Sequence, residues 1–112
     1  MRILCLTPIK HLDGVFEYLK SFGRVDYLPD SPDNVIRDTL SILDYDLIFC
    51  NPNKQNYMLD EYILKHFNGT ILTASTGLNH IDIDYCKQRG IKVLSHKNDT
   101  RFLNDLPSTA EL

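Results

Sequence analysis

Five short apolar runs, spaced so that one helix fits between each pair, constrain what this chain can fold into more than any other feature. They are RILCL (2–6), RVDYL (24–28), DLIFC (46–50), TILTA (70–74) and IKVLS (91–95). Each is rich in β-branched, aromatic or leucine residues and lacks strict polar alternation, as strands covered on both faces do. Helix-like segments lie between them. Leu12, Val15, Phe16, Leu19 and Phe22 recur at helical spacing, and Gly23 stops the run. Ser31 and Pro32 suit an N-cap and first helical position, ahead of a stripe of Val35, Ile36, Thr39, Leu40 and Leu43. A third segment, about 59–67, turns Leu59, Tyr62, Ile63 and Phe67 inward and ends at Gly69. The fourth is short, about 84–89, with Asp82 as its cap, Asp84 where the helix dipole favours negative charge, and Gly90 as its stop.

The element order is therefore βαβαβαβαβ. Such alternation predicts a parallel sheet with helices on both faces. The expected fold is α/β, a flavodoxin-like three-layer sandwich of five strands in the order 2-1-3-4-5. At 112 residues the chain is one domain of ordinary size. A domain of that length buries roughly two thirds of its unfolded surface.

Composition narrows the function classes. Hydrophobic residues make up 43% and charged residues 24%, which argues for a folded core. A net charge of −3 gives no basic footprint for nucleic acid. No apolar run approaches the ~18 residues of a membrane span, and no signal peptide precedes the first strand. Cys5, Cys50 and Cys86 are odd in number and widely spaced, so they form neither a zinc pattern nor a disulfide framework. Reduced cytoplasm is the natural setting.

Ligands of open α/β sheets sit beyond the carboxyl ends of the strands, so those loops carry the functional question. After the first strand comes Thr7-Pro8-Ile9-Lys10, where a dinucleotide site would place G-x-G-x-x-G. No two glycines in the chain stand two residues apart, so that fingerprint is absent. A flavin-phosphate loop is absent too, and Thr7-Pro8 and Asn51-Pro52 replace the acidic residues of a phosphorelay receiver. The loop after the third strand, Cys50 to Gln55 and Asn56, is polar and long enough to touch a ligand, although Asn and Pro also suit plain turns. The loop after the fourth strand runs Ser75-Thr76-Gly77-Leu78-Asn79-His80-Ile81-Asp82. A glycine between small hydroxyl residues lets backbone N–H groups converge on an anion, or simply serves a βα turn. His80 admits a catalytic role, but a lone His at a helix start is more often structural. Asp82 and Asp84 read better as helix-end residues than as an acid/base pair.

The stretch ASTGLNHIDIDYCKQRGIKVLS (74–95), followed by PSTAEL (107–112), resembles the D-isomer-specific 2-hydroxyacid dehydrogenases. The matching pieces are Gly77, Asn79-His80-Ile81-Asp82, Gly90-Ile91-Lys92-Val93 and Ser108-Thr109-Ala110-Glu111. The resemblance implies a two-domain enzyme that transfers hydride between NAD and a 2-hydroxy or 2-oxo acid, with residues 1–107 as the substrate-side domain. Residues 108–112, which read as a capping box, would open the helix leading into an NAD-binding domain. The family's catalytic Arg, Glu and His fall beyond residue 112, so the resemblance assigns no catalytic and no cofactor-binding residue here. It implies that main-chain amides at Ser75, Thr76, Gly77 and Leu78 hold the substrate carboxylate. Many members carry an Arg-Ser step after the third strand. Here Asn51 and Pro52 stand in its place, with Asn51 as the substrate contact. The intact enzyme would be a homodimer, with no metal, nucleic acid or membrane involved. The contrasting expectation is a stand-alone flavodoxin-like binding module without catalysis.

Overall fold

The computed structural model describes residues 1–51, 58–73 and 78–95. Its sheet contains β1 (Arg2–Cys5), β2 (Arg24–Tyr27), β3 (Leu47–Cys50), β4 (Thr70–Thr73) and β5 (Lys92–Ser95). All neighbouring pairs are parallel and the order is β2-β1-β3-β4-β5, as the alternation predicts. Four helices connect the strands: α1 (Val15–Lys20), α2 (Asp33–Ile42), α3 (Glu61–Leu64) and α4 (Ile83–Arg89).

Successive strand residues point to opposite faces, so each strand feeds two cores. Ile3, Cys5, Leu47, Phe49 and Leu72 pack with Val15, Phe16 and Leu19 of α1. Leu4, Ile48, Cys50 and Ile71 pack against Ile36 and Leu40 of α2, Ile63 and Leu64 of α3, and Cys86 of α4. Ile3, Leu4, Ile48 and Ile71 are fully buried. Each such side chain contributes ~1.5–3 kcal/mol relative to exposure. The outer strands β2 and β5 are only partly buried and carry charge, with Arg24 and Asp26 on one and Lys92 on the other. Charge on an edge discourages pairing with other chains.

The ends of the elements follow local chemistry. Asp82 accepts from the Tyr85 amide at the start of α4, and Gly90 ends it in the left-handed region at φ 75°. At Gly23 (φ 155°) a Cβ would fall 1.9 Å from the Met1 carbonyl oxygen, so glycine is what lets the chain enter β2 beside β1. Tyr45 donates to the Asp26 carboxylate, which Arg24 and Arg2 also approach. The Tyr45 hydrogen bond, then the two arginines, hold the Asp26 carboxyl below its ordinary range despite partial desolvation.

Several helical expectations shift. Leu12 lies outside α1, 45% exposed, in a turn whose amide bonds the Ile9 carbonyl. Pro32, not Ser31, is the N-cap of α2, and Asp33 opens the helix. Val35 is exposed, on the rim of the apolar stripe. The third segment is helical only over four residues, because Leu59 is drawn into a parallel bridge with Ile81. Tyr62 is 46% exposed and stacks under the Arg37 guanidinium, 4.7 Å from the ring centre. Leu64, absent from the sequence reading, takes the inward place.

Candidate functional site

The carboxyl ends of β3 and β4 are adjacent, with Cys50 in register with Thr73. Asn51 follows β3 directly and is partly buried. The Thr73 hydroxyl donates to Asn51 Oδ1 at 3.2 Å. His80 Nε2 lies 3.3 Å from the same hydroxyl oxygen. Three polar side chains from two strand ends and the turn before α4 thus meet at the edge where ligands of open α/β sheets sit.

The turn that presents His80 is held by backbone bonds. The Leu59 amide donates to the His80 carbonyl at 2.8 Å, the Asp82 amide to the Leu59 carbonyl at 3.0 Å, and the Ile81 amide to the Leu78 carbonyl at 3.1 Å. Ile81 is buried in the core, and Asp82 caps the helix that follows. Arg89, two turns further on at the end of α4, reaches back across α3. Its guanidinium donates to the carbonyls of Leu64, Lys65 and Phe67 and to Asn68 Oδ1. The Lys65 and Phe67 carbonyls lie where the short helix ends and intrahelical donors run out, and the Leu64 carbonyl also accepts from the Phe67 amide. The clamp fixes α4 to α3, and with it the frame of His80.

His80 is 6% exposed, and burial holds its imidazole below the ordinary histidine pKa, so it is neutral at pH 7. The hydroxyl proton of Thr73 goes to Asn51, so the Thr73 oxygen accepts from His80 Nε2–H. That assigns the Nε2-protonated tautomer and leaves Nδ1 a buried acceptor with no hydrogen-bond partner among the described residues.

Of the sequence-derived site residues, Asn51 is placed at this edge, and Leu78 lies in the turn that leads to His80. Leu78 is partly buried and packs on the core that holds Ile81 and Cys86. Ser75, Thr76 and Gly77 lie outside the described residues, as does the segment 108–112. Asp82 is a cap, and Asp84 is exposed in the first turn of α4. Thr73 was missed because its place inside a strand-like run hid a polar side chain at the strand's last position. Arg89 was missed because nothing near it in sequence shows that its partners are the carbonyls ending α3.

The three cysteines are free thiols and buried. Burial pushes Cys5 and Cys86 up to about 11, and Cys50 higher still. Among the described residues no cluster of His, Cys, Asp or Glu could hold a metal ion. No helix there is long and apolar enough to cross a membrane. A dinucleotide phosphate would need free amides after β1. The Ile9 and Lys10 amides instead both donate to the Tyr27 hydroxyl, at 2.9 and 3.3 Å. The Lys10 ammonium lies 4.8 Å from the ring centres of both Phe16 and Tyr27. This loop does not fit a dinucleotide. A cleft of about 670 Å³ separates α2 from α3, lined among others by Arg37, Asp38, Glu61 and Lys65. Its charges cancel in pairs, and Arg37 is already bonded to Asp38.

The model of the D-isomer specific 2-hydroxyacid dehydrogenase catalytic domain matches residues 4–100. The chain belongs to this family. Solved structures of similar fold include D-mandelate dehydrogenase from Rhodotorula graminis. Its apo form has 18% identity and a TM-score of 0.62, covering 87% of this chain and 31% of that one. The holo form gives 19% and 0.63 with the same coverage. A structure titled for the pyruvate reductase of Chlamydomonas reinhardtii gives 15% identity and a TM-score of 0.64, covering 88% of this chain and 29% of that one. This 2-hydroxyacid dehydrogenase domain thus spans about three tenths of the length of the structures it matches. Comparison with curated proteins finds no match.

Proposed function

We propose that the chain is the substrate-side domain of an NAD-dependent D-2-hydroxyacid dehydrogenase and holds a small 2-hydroxy or 2-oxo acid at the carboxyl ends of β3 and β4. The observation that carries this reading is the meeting of Asn51, Thr73 and His80 at that edge. Asn51 stands beside the oxygen-bearing head of the ligand, and the amides of Ser75, Thr76, Gly77 and Leu78 receive its carboxylate. Thr73 and His80, both buried beside Asn51, lower the local dielectric and strengthen such hydrogen bonds.

NAD, which supplies the hydride chemistry when bound, is assigned to a second domain, because the loop after β1 offers it no cradle. The acid and base groups of the reaction are assigned there too, and the active enzyme is a homodimer. Three buried free thiols suit the cytoplasm. The names of the two neighbouring enzymes support the ligand class.

Calorimetry on the 112-residue chain tests the reading. Pyruvate should bind at about millimolar strength, as a half-site does. Acetate, which lacks the 2-oxo group, should bind more weakly, and Asn51→Ala should remove the difference. Equal binding of pyruvate and acetate would refute the proposal.

A further inference from the structure

We infer that His80, acting through Thr73, is a positioning residue that orients the Asn51 carboxamide for the ligand, an inference that rests on reading Asn51 as a ligand contact. The hydrogen bonds run in one direction. His80 Nε2–H donates to Thr73 Oγ1, and the Thr73 hydroxyl donates to Asn51 Oδ1. Asn51 Oδ1 is thereby fixed as the end of the amide facing Thr73. The two Nδ2 hydrogens take the opposite side of the carboxamide, which presents donors rather than an acceptor. Donors are what an oxygen-rich acid requires.

The choice of histidine carries the argument. Nδ1 is buried without a partner among the described residues, and an unmet buried acceptor costs about 1–3 kcal/mol. A leucine would fill the same apolar slot with no unmet group. The slot is occupied by a residue with a liability, and what that residue supplies in return is the Nε2–H donor. Thr73 supplies the single group able to accept from His80 and donate to Asn51 at once. A valine of the same shape would do neither. The carbonyl of His80 is tied to the Leu59 amide, so the imidazole starts from a fixed backbone.

The test uses ¹⁵N relaxation of the Asn51 side-chain NH₂ group in the 112-residue chain. Wild type should show an order parameter near that of rigid backbone, about 0.85. Thr73→Val and His80→Leu should lower it below about 0.6. Thr73→Ser and His80→Gln, which keep the hydroxyl and the Nε2-type donor, should restore it. Backbone amide spectra confirm that each variant is folded, and Thr73→Val, being isosteric, guards against collapse of the site. An Asn51 amide as rigid in Thr73→Val as in wild type would overturn the relay, as would an Nδ1-protonated His80 in long-range ¹H–¹⁵N spectra. Pyruvate, titrated as the probe, separates this relay from the functional reading. Thr73→Val should weaken it about threefold to tenfold, the loss of one oriented hydrogen bond. A loosened Asn51 with unchanged pyruvate affinity supports the relay and overturns only the ligand contact.

Discussion

Replacing Arg89 with alanine removes a guanidinium that bonds three carbonyls and one side-chain amide beyond its own helix. Lys65 and Asn68 are exposed, so water can take over their bonds. Leu64 and Phe67 are buried; the Leu64 carbonyl keeps the Phe67 amide as a donor, and the Phe67 carbonyl is the one left poorly satisfied. A hydrogen bond to a charged group contributes about 1.5–3 kcal/mol, but Arg89 is partly exposed and its bonds are not additive. Two effective bonds, discounted for solvent, give a loss of about 2–3 kcal/mol. For a domain of this size that lowers Tm by roughly 8–12 °C. Urea denaturation followed by circular dichroism measures it, with the slope unchanged if only the native state is affected. Arg89→Lys keeps the charge but not the planar fork, and should recover less than half. Hydrogen exchange at the Leu59 and Asp82 amides should speed up in Arg89→Ala, because the α3–α4 frame carries the turn that holds His80. A loss below about 0.5 kcal/mol would show that water already satisfies the α3 carbonyls and that the clamp idea is wrong.

Three further outcomes follow from the same geometry. Burial holds the folded-state pKa of His80 below its ordinary value of 6.5, so the unfolded chain takes up the proton more readily. Its contribution to stability should be fully present above about pH 6.5 and be lost as pH falls, by at most ~1.4 kcal/mol per pH unit; urea midpoints at several pH values should show this slope in wild type and not in His80→Gln. Asp82→Ala removes the carboxylate that accepts the Tyr85 amide and should cost about 1 kcal/mol in thermal unfolding, whereas Asp82→Asn should cost little. Gly90→Ala places a Cβ at φ 75° with open space around it, so only backbone strain is added and the loss should be about 1 kcal/mol by the same measurement.

The sheet was legible because each strand reads as an apolar run and the helices between them force parallel crossovers, which leaves few orders open. The α4 boundaries were legible because Asp82 and Gly90 end the helix by local chemistry. Leu12 misled because its periodic position falls before Gly14, where a left-handed backbone starts the helix three residues later. Tyr62 misled because an aromatic ring that stacks on Arg37 has the same spacing as one that enters the core. At the site, Asn51 stood out as a polar residue after an apolar strand. His80 reads in the sequence as more often structural than catalytic, and its partner could not be seen there. Thr73 lies seven residues earlier in a β-branched run, and only the fold brings its hydroxyl under the imidazole.

With the ligand edge at the ends of β3 and β4, a ¹H–¹⁵N titration of the 112-residue chain with pyruvate should give saturable shifts at the Asn51 side-chain amide, the Leu78 backbone amide and the His80 ring, with the α2–α3 cleft unmoved. Shifts confined to Arg37, Lys65 and their neighbours in that cleft, or none at Asn51 and Leu78 at saturating pyruvate, would contradict that placement.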